Sequence, residues 1–141
     1  MADPRIFSLE DAERALPLVR KIVADVQRVY EEWRGAVASY ELVAAGVKGD
    51  GPEPVALEQL RTEVAGYAEQ MAGLIDEVQE IGCELKDVRL GLVDFYALLD
   101  DRLVYLCWRL GEQGITHWHE LNEGYGGRQP IDQSLFQGII P

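Results

Sequence analysis

Two runs of apolar residues, spaced alternately three and four apart, constrain this chain more than any other feature. The first reads Val19, Ile22, Val26, Val29, Trp33, Ala36, Tyr40, Val43, and the second reads Leu57, Leu60, Val64, Tyr67, Met71, Leu74, Val78, Ile81. That spacing keeps one stripe of a helix apolar, so each run predicts a helix that buries its seam against another helix. Between them "AAGVKGDGPEP" carries three glycines and two prolines, which stop one helix and turn the chain back. The expected product is a long antiparallel two-helix, coiled-coil-like hairpin, about 40 Å long at about 1.5 Å per residue.

The first helical region is placed at 8–45 and the second helix at 53–82. Ser8, three residues before Asp11, supplies an N-cap, and Phe7 can pack back on the first turn. Pro17 has no N–H to donate, so a break is expected near 17, dividing a short leading helix from the long one. After Gly82 the apolar period drops to about 2, which is the period of strands. Strands are expected over 91–96, 103–110 and 115–121, with turns at "LLDDR" and "GEQG". They form a three-stranded antiparallel β-meander over 91–121, followed by a Gly-rich tail over 122–141. The 141 residues therefore read as a single α+β domain, 1–141.

If "GEQG" closes a tight hairpin, Leu110 pairs with Ile115 and the faces follow. His117 and His119 then lie with Val104, Leu106 and Trp108 toward the helices, while Glu120 lies with Arg109 and Trp118 on the opposite face.

A formal net charge of −12 repels polyanions and leaves few cations for counterion release, so no nucleic acid is expected as a partner. The opening "MADPRIFSLEDAER" has no basic segment followed by an apolar stretch, and no later run is long enough to span a bilayer. The expectation is a cytoplasmic protein without a membrane partner. Cys83 and Cys107 belong to no Cys-x-x-Cys pair and read as buried thiols.

His117 and His119 stand two apart on a strand and point the same way, which makes them the candidate ligands for a divalent metal. Asp94, Arg109, Glu112, His119, Glu120 and Arg128 form a wider polar set. They act either as a ligand site or as an ion-pair network that pins the tail to the sheet. "NEGYGGRQP" has the glycines for an anion-binding turn beside Arg128, although glycines after a strand also serve simple turns. No nucleophile motif or nucleotide loop is present, and no residue is assigned a catalytic role.

The segments "FSLEDAERALPLVR", "ELKDVRLGLVDF", "VYLCWRLGE" and "WHELNEGYGGRQP", in that order, resemble the prokaryotic family known as domain of unknown function 2203. The resemblance runs from residue 6 to about 131 and implies no activity. It concentrates on Leu92, Val93, Asp94, Phe95, Trp108, Arg109, Gly111, Glu112, Trp118, His119, Glu120, Gly124, Gly127, Arg128 and Gln129, and leaves His117 out. Tyr96 stands where the family usually has proline, and Asp100–Asp101 replaces its commoner Asp-Gly turn.

Two functions from different classes fit these residues. The first is a non-enzymatic helical interaction or assembly module, a homo-oligomer or a partner-binding hairpin that covers Tyr30, Val37 and Ile75 beside the seams. The second is a metal- or small-ligand-binding protein, an enzyme included, that uses the polar residues of the meander and tail.

Overall fold

The computed structural model describes residues 5–132, and the last part of the expected tail, 133–141, lies outside them. Two helices, α1 (Leu9–Ala45) and α2 (Val55–Ile81), lead into five strands. These are β1 (Glu84–Asp87), β2 (Leu92–Leu99), β3 (Arg102–Arg109), β4 (His117–Glu120) and β5 (Gln129–Pro130), with a 3-10 turn at Tyr125–Gly127 before the last. The fold is α+β, a helical hairpin followed by an antiparallel sheet of order β1-β2-β3-β4-β5.

The start of α1 is capped as its sequence dictates, with the Ser8 hydroxyl accepting from the Asp11 N–H at 3.0 Å. The break expected near 17 does not form, and α1 runs unbroken through Pro17. An interior proline costs about 3 kcal/mol. On either side of it Leu16, Val19, Ile22 and Val23 are buried against the sheet, each contributing about 1.5–3 kcal/mol, so packing outweighs the lost bond. Helix α2 ends at Gly82, whose φ of 109° is a left-handed cap that glycine adopts without strain.

The turn between β2 and β3 consists of Asp100 and Asp101, both left-handed (φ 50° and 63°), as a two-residue hairpin of right-handed twist requires. It sets Leu99 opposite Arg102 and, further along, Asp94 opposite Cys107. The sheet has two strands more than the sequence pattern predicts. Strands β1 and β5 are four and two residues long, too short for a period of two to declare itself.

One face of the sheet carries Val93, Phe95, Ala97, Val104, Leu106, Trp108 and Trp118 into a core shared with Phe7, Val19, Val23 and Val26. From α2, only Val78 joins that core as a buried residue. The outer reaches of the hairpin are covered only by each other: Trp33, Tyr40, Tyr67 and Met71 are half-buried, while Leu42 is 77% and Val55 70% exposed. Among the described residues, no helix is long and apolar enough to cross a membrane.

The register of β4 differs from the expected one by a single residue. Cys107 pairs with His117, Tyr105 with His119 and Leu106 with Trp118. Residues directly opposite share a face, so the slip turns the histidines away from the helices. His119 lies with Asp94, Tyr105 and Cys107 on the outer face, and Glu120 with Trp118 on the helix side. The cause is the loop after β3, which is not a tight hairpin but a segment tied to α1. The Glu13 carboxylate accepts from the Ile115 N–H at 2.9 Å, and Arg20 donates to the Gln113 carbonyl at 2.8 Å. Ile115 is thereby delivered to the core from the loop itself.

Candidate functional site

Three adjacent strands each place one reactive side chain on the outer face of the sheet. Asp94 comes from the middle of β2, Cys107 from β3 directly opposite it, and His119 from β4, opposite Tyr105 and so two residues further along. A carboxylate oxygen, a sulfur and a ring nitrogen from these residues all lie within 4.8 Å of one another. All three are buried: Asp94 is 4%, Cys107 1% and His119 2% exposed.

The imidazole of His119 is fixed at both ends. Nδ1–H donates to the Glu120 carbonyl at 2.8 Å, and Nε2 lies 3.1 Å from each Asp94 oxygen. A carbonyl only accepts, so the proton on Nδ1 is committed and Nε2 faces the cluster. Burial raises the pKa of Asp94, against the opposing pull of His119. Burial, with Asp94 beside it, pushes the Cys107 thiol up to about 12.

These facts bear on what chemistry the cluster can do. A cysteine nucleophile needs a base on one imidazole nitrogen and an orienting acid on the other. Here Asp94 stands at Nε2, and the far nitrogen is tied to backbone, which leaves no orienting acid there. Three unlike donors brought within 4.8 Å of one another could hold a metal ion. A histidine ligand of that kind donates its other N–H to a backbone carbonyl, as His119 does to Glu120.

A second group of polar residues braces the first. The Arg128 guanidinium forms a two-pronged ion pair with Glu112, donates to His117 Nδ1 at 2.9 Å, and reaches Cys107 Sγ at 4.0 Å. Burial works against the charge on Glu112, yet its bonds to Arg128 and to the Arg109 N–H lower its pKa. Arg109 itself donates to the Tyr125 hydroxyl at 3.1 Å and stands over its ring. Through Glu112 and the Tyr125 hydroxyl this network ties Arg128 and Tyr125, from the segment 121–131, to Arg109 at the end of β3.

The metal pair expected from sequence was His117 with His119. Their rings share a face, but His117 Nδ1 accepts from Arg128, and the donors within 4.8 Å of one another are Asp94, Cys107 and His119. Glu120 also stands apart, forming a bidentate pair with Arg102 at 2.9 and 2.7 Å on the far side of the strand. Cys107 is buried, as its reading as a buried thiol has it, and it is the third donor of the cluster, one not included among the candidate site residues read from sequence. The signal was present in the Asp100–Asp101 turn, because a two-residue hairpin there fixes Asp94 opposite Cys107.

Residues 5–131 match the model of a family described as "Uncharacterized conserved protein (DUF2203)". No curated protein and no solved structure matches the chain.

Proposed function

Because the chain belongs to the DUF2203 family, whose description names no activity, we propose a function from its own side chains: it binds a zinc-class divalent metal through Asp94, Cys107 and His119. The observation that carries this reading is the buried convergence of one oxygen, one nitrogen and one sulfur donor from three strands. Thiolate with imidazole and carboxylate is a donor set that suits Zn²⁺, whereas Mg²⁺ and Ca²⁺ take oxygen alone. Ligand atoms of a tetrahedral zinc site stand about 3.3–3.8 Å apart, so small side-chain movements close the cluster onto an ion. Three protein ligands leave a fourth coordination position for water or a small ligand.

Titration of the metal-stripped protein with zinc chloride tests the reading. One zinc ion per chain is expected to bind, with Cys107→Ala and His119→Ala each weakening it more than the roughly 10–100-fold typical of an outer-shell change. Zinc uptake that is absent, or undiminished in either variant, contradicts it.

The exposed hairpin tip supports a second reading, compatible with the first, in which the helices pair with another copy of the chain. Leu42 and Val55 lie open at that end, and the seam there is only half covered. Light scattering at micromolar concentration is expected to give at least twice the 15.8 kDa chain mass. A mass equal to one chain removes self-pairing.

A further inference from the structure

A small cavity opens from the donor cluster to the surface, and its walls differ chemically from one another. It measures about 130 Å³ and is bounded by Leu92 and Leu121, by Tyr105 and Tyr125, and by Lys86 and Glu123, with the three donors at its floor. At about 30 Å³ per water it holds about four waters, far below the roughly 300 Å³ from which drug-sized sites begin. Nucleotides and peptides are too large for it.

Lys86 is the cation of this cavity. It sits at the irregularity in β1, between Leu85 and Asp87, where an extra residue re-aims the strand. Its ammonium stands 4.7 Å from the centre of the Tyr105 ring and donates to the Tyr105 hydroxyl at 3.3 Å and to Glu84 at 2.7 Å. Tyr105 in turn packs on the His119 ring at 5.3 Å and donates to the Tyr96 hydroxyl at 3.0 Å. The positive charge is thus positioned through Tyr105 beside the cluster, with one of its three N–H groups left to point elsewhere.

We propose that the cavity binds a short-chain monocarboxylate, one oxygen taking the coordination position that Asp94, Cys107 and His119 leave, the other accepting from Lys86. This rests on the metal reading above. The hydrocarbon stub lies against Leu92 and Leu121, and the volume limits it to acetate or propionate size. Glu123 at the rim sets a like charge against a second carboxylate and so disfavours dianions.

Cobalt(II) in place of zinc gives the site visible absorption bands that report its coordination. Sodium acetate added to the cobalt-loaded protein, at ionic strength held constant with chloride, is expected to shift those bands saturably. Succinate is expected to act more weakly. Lys86→Met should weaken the acetate response, normalised to bound cobalt, by about 10-fold or more, the effect of one charge-assisted hydrogen bond, and Lys86→Arg should retain most of it. Bound cobalt with bands indifferent to acetate, or an equal response in Lys86→Met, overturns the carboxylate site and leaves the metal reading standing. Failure to take up cobalt overturns both.

Discussion

Replacing His119 by alanine is expected to destabilise the metal-free protein by about 3–5 kcal/mol as well as removing a metal ligand. The cause is the partner left behind. Asp94 is 4% exposed, and its two oxygens have His119 Nε2 at 3.1 Å. Without the ring, a buried carboxyl loses its imidazole partner, and that loss exceeds the value of the hydrogen bond alone. The sign reverses when both partners leave together: Asp94→Leu with His119→Leu removes the desolvated pair and is expected to recover most of the lost stability. Urea melts of the metal-free single and double variants check this. A single variant as stable as the parent protein would mean that the pair contributes nothing.

The second large effect is expected at Trp108. Among the described residues it is the largest fully buried side chain, near the end of β3 on the sheet face that meets α1, with its indole N–H donating to the Glu112 carbonyl at 3.0 Å. Trp108→Ala removes that packing and leaves a cavity, costing about 3–5 kcal/mol against the 5–15 kcal/mol that holds a domain of this class together. It also releases the Glu112 carbonyl and the loop that positions Glu112 on Arg128. Zinc affinity should therefore fall even though the Trp108 side chain lies on the opposite face of the sheet from the three donors. Trp108→Phe, which keeps most of the apolar volume, should lose less than half as much stability.

The parts of this fold that were legible in sequence are those governed by local periodicity. The seams from Val19 and from Leu57 repeat over many turns, and the glycines and prolines between them permit little other than a reversal. What local pattern could not fix was decided by contacts distant in sequence. Pro17 failed to break α1 because the sheet packs against Leu16 and Val19 on either side of it. The facing of β4 depended on Glu13 and Arg20 of α1 gripping the loop 110–116, which no spacing within "GEQG" reveals.

The candidate site divides along the same line. Asp94 and His119 were both named from sequence, and the structure sets Asp94 opposite Cys107 across the Asp100–Asp101 turn. His119 could join them only once β4 was set one residue away from the register of a tight hairpin. A slip of one residue thus separates a histidine in the core from a histidine in a donor cluster. It also explains why Glu120, adjacent in sequence, ends in an ion pair with Arg102 on the other face.

The claim that joins these observations is that Asp94, Cys107 and His119 act on one ion. X-ray absorption at the zinc edge of the zinc-loaded protein tests it most directly, because sulfur and the lighter donors scatter differently. The expected first shell has one sulfur at about 2.3 Å and two or three nitrogen or oxygen atoms at about 2.0–2.2 Å, with the sulfur lost in Cys107→Ala. A first shell of nitrogen and oxygen alone, or one unchanged by Cys107→Ala, would contradict it.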